Sequence, residues 1–249
     1  MAVITSKDYF LINGVSSATV GLYVDTPQVP PMAEQRTTQW DTGLDSDFVS
    51  PDDVWENITV SFTCFLFFRE NNFDISPVYA FLKDAKTLEF TRFPDRYLKI
   101  KSIGNITPAQ QIDGARIRFV ISFVCDPFKY HTSNSPITMS DLDPEITNPG
   151  TRYSRPLYKV THGGAGCSVY VNGELLKIKP WTDKNGLTTY PPTPIYIDSE
   201  RMVAYSISGE NKVNATKFTD GSFPFLKPGI NSAYTSGNSL EITGNWRDY

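Results

Sequence analysis

Alternating apolar and polar positions dominate the chain. From Ile58 to Phe68 one face carries Ile58, Val60, Phe62, Cys64, Leu66 and Phe68; the other carries Thr59, Ser61, Thr63, Phe65 and Phe67. From Ala115 to Cys125 one face carries Ala115, Ile117, Phe119, Ile121, Phe123 and Cys125, and the other opens with Arg116 and Arg118. Period-two runs of this length, rich in β-branched and aromatic residues, predict strands with one face in a core. Both runs grow more apolar toward their ends, which predicts cover on both faces there.

One segment breaks the period. Val78, Phe81, Leu82 and Ala85 fall at i, i+3, i+4 and i+7, a single helical stripe. Ser76 offers an N-cap, Pro77 suits the first turn, and Lys83 and Lys86 suit the negative end of the dipole. The pattern predicts a helix over Ser76–Lys86 packed on a sheet.

Between Thr26 and Asn57 the alternation lapses. Pro27, Pro30, Pro31 and Pro51 interrupt pairing, and Asp41, Asp45, Asp47, Asp52, Asp53 and Glu56 make the segment acidic. Trp40, Leu44, Phe48, Val49 and Trp55 are scattered through it. A long acidic loop that carries bulky apolar groups predicts burial against another subunit, with Trp40, Leu44, Phe48 and Trp55 as candidate interface residues.

Ser133–Pro149, with Pro136, Pro144 and Pro149 among polar residues, reads as a linker between residues 1–132 and a second domain at 150–249. Beyond it turn pairs are frequent: Asn172-Gly173, Asn185-Gly186, Ser208-Gly209, Asp220-Gly221, Pro228-Gly229 and Ser236-Gly237. Asn172-Gly173 predicts a type I′ hairpin within Ser168–Lys179. Short strands at this turn density predict a β-sandwich.

A length of 249 residues suits one large β domain or two ordinary ones. Hydrophobic content of 40% with 13% aromatics is ample for packed cores. The formal charge is −4, without the basic excess of a protein that grips nucleic acid. Met1–Asp141 holds 12 Lys and Arg against 17 Asp and Glu, whereas Leu142–Tyr249 holds 11 against 10. The acid therefore sits in the first half. The start, Met1–Phe10, lacks the pattern of a signal peptide, and no apolar run has the length of a membrane span, so folding in a cytoplasm is expected. Cys64, Cys125 and Cys167 have no metal-binding spacing and read as small buried thiols.

Catalytic chemistry is hard to assemble from these residues. His131 and His162 stand outside any motif and read as surface or turn residues. Thr161-His162-Gly163-Gly164 has the His-Gly-Gly of lipase oxyanion loops, but no nucleophile elbow accompanies it. Asp45-Ser46-Asp47 starts like a calcium loop without the ligands that should follow. Gly163-Gly164-Ala165-Gly166 lacks a phosphate-loop Lys. Trp181, Tyr190, Trp246 and Tyr249 offer aromatic surface for sugar stacking, but core packing or a protein contact is the simpler reading for each. No enzyme, metal or cofactor is expected.

Several segments, taken in order, carry a resemblance. In the first half these are Asp8-Tyr9-Phe10-Leu11-Ile12-Asn13-Gly14, the aromatic strand around Phe62, the helix, Phe93-Pro94-Asp95-Arg96-Tyr97, and Cys125-Asp126-Pro127-Phe128-Lys129-Tyr130. In the second they are Asn148-Pro149-Gly150-Thr151, Val171-Asn172-Gly173, Ile197-Asp198, and Phe223-Pro224-Phe225-Leu226-Lys227-Pro228-Gly229-Ile230-Asn231. Together they resemble the distal tail proteins of long-tailed phages that infect Gram-positive bacteria. The chain departs from the family in its first loop, where Gln39-Trp40-Asp41-Thr42-Gly43-Leu44-Asp45 replaces a Pro-Gly-Arg-Asp-Gly-like turn.

The resemblance implies a mainly β protein. Its first part would be a β-sandwich or barrel-like domain with one α-helix, and its second a galectin-like β-sandwich. It implies a homohexameric ring at the tail tip of the virion, joining the tail tube protein to the tail-associated fibre or lysin protein, with a receptor-binding protein docked on the second domain. DNA would pass through the ring. Asp41, Asp45, Asp47, Asp52 and Asp53 then become candidates for an acidic channel or loop, with no tight nucleic-acid binding and no membrane. The alternative is a lectin-like module for host cell-wall saccharide.

Overall fold

The computed structural model describes residues 8–26, 30–40, 48–67, 74–104, 106–113, 116–139, 144–163, 166–182, 185–189, 193–208, 211–214 and 219–249. They form two compact units, Met1–Thr132 with Tyr249, and Ser133–Asp248.

The first unit contains β1 (Phe10–Ile12), β2 (Val15–Ser16), β3 (Leu22–Thr26), β4 (Gln35–Trp40), β5 (Phe48–Trp55), β6 (Ile58–Phe67), α1 (Ser76–Leu82), β7 (Thr87–Phe90), β8 (Phe93–Ile103), β9 (Thr107–Asp113) and β10 (Arg116–His131). Its main sheet runs β2-β1-β7-β8-β10-β6-β3, with β9 also on β10. The two runs of strongest alternation are its centre. β10 pairs β6 in the register Phe119↔Cys64, Ile121↔Phe62 and Phe123↔Val60, so both apolar faces point to one side. On the other side the Ser61 and Ser122 hydroxyls meet at 2.7 Å.

The sheet curls. β1 and β6 are four strand spacings apart, about 19 Å in a flat sheet. Yet the rings of Phe10 and Phe62 stack at 5.5 Å, and Phe123 meets Phe10 edge-on at 5.6 Å. The backbone of Asp8, just before β1, bridges Val24 of β3, drawing the two ends of the sheet together. Ser17, fully buried, ties the same corner: its hydroxyl accepts from Phe10 N at 3.3 Å and donates to Leu22 O at 2.9 Å. The result is the barrel-like first domain that was expected.

The helix is shorter than its apolar stripe. Ser76 is its first residue rather than its cap, and the Asp74 carboxylate accepts from the Ser76 amide at 2.9 Å. Hydrogen bonding from the Ser76 side chain, and then from its amide, holds the Asp74 carboxyl below its usual pKa. Val78 and Leu82 are buried, and Phe81 and Ala85 pack against the same core. The helix ends at Leu82 because the chain must turn into β7. Asn13 holds that turn: its Oδ1 accepts from Lys86 N at 2.9 Å and Thr87 N at 3.1 Å, and its Nδ2 donates to Asp84 O at 2.9 Å.

The second unit contains β11 (Ile137–Met139), β12 (Glu145–Asn148), β13 (Leu157–Thr161), β14 (Cys167–Val171), β15 (Glu174–Ile178), β16 (Trp181–Thr182), β17 (Thr188–Thr189), β18 (Ile195–Asp198), β19 (Val203–Ser208), β20 (Asn211–Asn214), β21 (Thr219–Gly221), β22 (Gly229–Thr235) and β23 (Ser239–Thr243). One sheet runs β11-β23-β13-β18-β19-β20 and a second β12-β22-β14-β15-β21. Alternate residues of both enter one core that includes Tyr158, Val160, Val169, Leu176, Ile197, Ala233 and Ile242. This is a β-sandwich.

The segment expected as a linker is part of it. β11 pairs β23 with Met139↔Leu240, and β12 pairs β22 with Glu145↔Ser232 and Asn148↔Gly229. Its prolines do not prevent this because they stand outside the strands: Pro136 before β11, Pro144 before β12, Pro149 after it. Both strands lie at sheet edges, where neighbouring prolines cost least.

Candidate functional site

The acidic segment is a hairpin rather than a loop. β4 and β5 pair as Thr37↔Pro51, Thr38↔Ser50, Gln39↔Val49 and Trp40↔Phe48, with a register shift between Gln35 and Thr37. They form a two-stranded sheet of their own. Pro51 is tolerated because each strand of such a ribbon has one edge without a partner, where a missing N–H costs no ladder bond. Trp40 and Phe48 are thus cross-strand neighbours, with Asp52 and Asp53 further along β5; only their backbone is described. Leu44, Asp41, Asp45 and Asp47 lie outside the described residues.

Trp55 packs within its own unit. It stands at the foot of the hairpin, half-buried in its own unit, with its ring 4.8 Å from Tyr249 and 6.3 Å from Phe128. The backbone bond from Glu56 N to Glu34 O, 2.9 Å, closes the foot. Met32, ahead of β4, and Val54, within β5, are exposed apolar side chains that the alternation did not single out. Arg118 meets Asp25 of its own chain at 3.3 Å and stands over the Phe65 ring.

The sequence motifs of the first half converge on one patch. β8 and β10 pair Arg96↔His131, Tyr97↔Tyr130 and Leu98↔Lys129, so Pro94-Asp95-Arg96-Tyr97 lies beside Asp126-Pro127-Phe128-Lys129-Tyr130. Tyr97 stacks on Tyr130 at 5.4 Å, and the Lys99 ammonium sits 4.0 Å from the Tyr130 ring centroid. Lys101 pairs with Asp126 at 3.0 Å. Pro127 falls where the register slips, from Cys125↔Ile100 to Lys129↔Leu98, so its missing N–H breaks no ladder bond.

In the second half the motif asparagines form a brace. Asn148, buried, donates to Arg152 O at 3.0 Å and Leu226 O at 3.2 Å and accepts from Gly150 N at 2.9 Å. Asn231, also buried, donates to Lys227 O and Gly229 O and accepts from Lys227 N, each at 2.8 Å. Asn172 Nδ2 donates to Asn231 Oδ1 at 2.8 Å. Ser199 Oγ donates to Pro224 O at 2.7 Å, and Asp198 accepts from Glu200 N and Arg201 N. These residues satisfy loop backbone, so the motifs encode the fold rather than a reactive centre.

Both histidines are buried, contrary to the surface reading. His131 ends β10 opposite Arg96, and His162 follows β13 with its amide on Thr193 Oγ1. Trp246 is buried in the sandwich core. Trp181 is described only as backbone in β16, and Tyr190 lies outside the described residues. All three thiols are buried, which pushes Cys64 and Cys125 up to about 12 and Cys167 to about 11. Among the described residues no cluster of His, Cys, Asp or Glu is suited to hold a metal, and no helix is long and apolar enough to cross a membrane.

No protein-family model matches the chain, and no curated protein matches it significantly. Solved structures do. The Dit protein of phage SPP1, described as a paradigm of the hub of the adsorption apparatus in phages infecting Gram-positive bacteria, superimposes with a TM-score of 0.64 at 13% identity. The match covers 95% of this chain and 98% of that one. The chain has the fold of SPP1 Dit. The baseplate of phage P2 in its activated conformation with Ca also matches, with a TM-score of 0.49 at 11% identity over 96% of this chain. The SPP1 Dit fold accounts for the curled sheet, the helix and the sandwich in one chain.

Proposed function

We propose that this protein is a distal tail protein of a phage tail tip, a hub that joins the tail tube to the adsorption apparatus. The observation that carries this is the match to SPP1 Dit over nearly the whole of both chains. The first unit builds a homohexameric ring. The second is a docking platform for the receptor-binding protein, and the tail-associated fibre or lysin protein seats on the ring. The role needs no catalytic centre. A ring of identical subunits needs a heterologous interface, in which one patch meets a different patch on the next copy. The acidic β4–β5 hairpin, set apart from the main sheet, suits the reaching half of such an interface.

The same hairpin brings Asp52 and Asp53, and by sequence Asp41, Asp45 and Asp47, to the ring-forming unit. A conduit lined by acid repels the phosphate backbone and lets DNA slide, whereas a basic lining would release counterions and hold it.

Native mass spectrometry of the purified protein tests the proposal. Six-subunit particles, seen as rings by electron microscopy and free of duplex DNA in a gel shift at low salt, are the expected result. A protein that stays monomeric at micromolar concentration, alone and with the tail tube protein, overturns the hub reading.

A further inference from the structure

The chain carries Asn-Gly at three places: Asn13-Gly14, Asn172-Gly173 and Asn185-Gly186. The pair is chemically labile wherever the asparagine side chain can swing onto the next amide. Glycine has no Cβ to hinder the approach of its nitrogen to that side chain. The fold treats the three pairs differently.

Asn13 is tied at both ends of its amide. Its Oδ1 accepts from Lys86 N at 2.9 Å and Thr87 N at 3.1 Å, and its Nδ2 donates to Asp84 O at 2.9 Å. Its own N–H donates to Thr87 O at 3.1 Å. Asn172 is tied in the same manner. Its Oδ1 accepts from Ser232 N at 3.1 Å, its Nδ2 donates to Asn231 Oδ1 at 2.8 Å, and its N–H donates to Ser232 O at 3.0 Å. Neither side chain turns toward the following glycine without giving up hydrogen bonds to a distant part of the chain.

Asn185-Gly186 lies in the loop between β16 and β17. That ribbon has two pairs, Trp181↔Thr189 and Thr182↔Thr188, and forms a two-stranded sheet of its own. Two-stranded ribbons are marginal structures, and exposed loop tips open most readily. Asn185, Gly186, Leu187 and Thr188 are all exposed, Leu187 to 65%, so opening the tip uncovers no core.

We propose that Asn185 is a modification site: it deamidates spontaneously in the native protein, while the fold protects Asn13 and Asn172. The Gly186 nitrogen attacks Asn185 Cγ and forms a C–N bond. The Cγ–Nδ2 bond breaks, and ammonia leaves with the proton that the Gly186 amide has given up through solvent. Water then opens the five-membered imide at either carbonyl, to aspartate or isoaspartate. Ammonia goes out and water comes in, so OH replaces NH2 and ionises. Each event adds a negative charge to the tip, and the isoaspartyl route also lengthens the backbone by a methylene.

The test is peptide mapping by mass spectrometry of the full chain, held in mildly alkaline buffer, native and in guanidinium. In guanidinium all three pairs should convert. In the native chain Asn185 should convert within about threefold of its own unfolded rate, and Asn13 and Asn172 at least about tenfold more slowly than theirs. Asn185→Gln should remove the first acidic species seen on isoelectric focusing and leave the melting curve unchanged. Native Asn13 or Asn172 converting as fast as Asn185 overturns the inference. So does an Asn185 that stays intact in the native chain yet converts in guanidinium, or an acidic species that survives Asn185→Gln. The inference rests on the fold of the single chain, so its failure leaves the hub reading standing.

Discussion

The Tyr130 hydroxyl donates to the Asp126 carboxylate at 3.2 Å, from four residues further along the same strand. In a regular strand those residues would be about 13 Å apart. The contact exists because β10 advances four residues, Cys125 to Lys129, while β8 moves two, Ile100 to Leu98. Pro127 fixes this irregularity, and the Asp126–Tyr130 bond closes it. Lys101 adds an ion pair, but its side chain is 54% exposed, so screening leaves that pair a minor share.

Asp126→Ala is therefore expected to destabilise the first unit by about 1–2 kcal/mol, with Tyr130→Phe close to about 1 kcal/mol and Lys101→Ala below it. Denaturant unfolding at low and high salt measures this. A cost for Lys101→Ala above that for Tyr130→Phe would reverse the assignment.

The brace in the second unit should be more sensitive. Asn148→Ala removes the bonds to the Arg152 carbonyl and the Gly150 amide in a buried place, while the Leu226 carbonyl keeps the Ser154 amide. A cost of about 2–4 kcal/mol is expected, since each buried polar group left unsatisfied costs about 1–3 kcal/mol and loop relaxation recovers part. Surface Asn238→Ala should cost less than about 0.5 kcal/mol. Equal melting temperatures for the two variants would show that the brace carries no stability.

Local physics made much of the fold legible. Cross-strand alternation named β6 and β10 because burial of one face writes itself at every second residue, and the buried faces match that reading. Asn172-Gly173 announced its hairpin because only such pairs accept positive φ twice; the angles are 52° and 86°. The acidic hairpin was hidden because a two-stranded ribbon needs no apolar face, so Pro51 and the aspartates left no period to read. The β11–β12 segment was hidden because edge strands are short and their flanking prolines look like a linker.

Two glycines separate conformational from steric cost. Gly173 has φ 86° and open space where a Cβ would stand. Gly221 has φ 112°, and a Cβ there would lie 2.3 Å from Leu175 O, inside the β15–β21 pairing rather than at the turn that Asp220-Gly221 suggests. Gly173→Ala should cost about 1 kcal/mol. Gly221→Ala should cost clearly more, because backbone must move, and hydrogen exchange should rise along Thr219–Gly221. An effect smaller than that of Gly173→Ala would contradict this packing.

The cysteines predict a pH dependence. In the unfolded chain their pKa is near 9.0, and burial raises it in the fold to about 12 for Cys64 and Cys125 and about 11 for Cys167. A raised folded pKa keeps the proton bound in the native state. Stability from this source is then fully present below about pH 9 and declines as pH rises toward 11–12. Native protein should show no thiol reactive to a chromogenic disulfide at pH 8, and three in guanidinium. The unfolding midpoint should fall between pH 9 and 11, and Cys125→Ala should flatten that fall. A thiol titrating rapidly in native protein would place one cysteine outside its core.

Stability and assembly should come apart within the hairpin. Trp55 at its foot packs on Tyr249 and Phe128 in the same unit, so Trp55→Ala removes core contact. Half-burial limits its cost to about 2–3 kcal/mol, below the cost of truncating a fully buried aromatic. Trp40 and Phe48 are paired at the far end of the ribbon, where among the described residues no other strand joins them. Interface anchors of this kind carry binding energy without carrying the fold. Trp40→Ala with Phe48→Ala should therefore leave the melting temperature within a few degrees of wild type and shift native mass spectra from hexamer toward monomer. Trp55→Ala should lower the melting temperature of the first unit at every protein concentration. If the double variant assembles as well as wild type, the far end of the hairpin is not the reaching half of the ring interface. If it melts like Trp55→Ala, these residues belong to the core of the subunit.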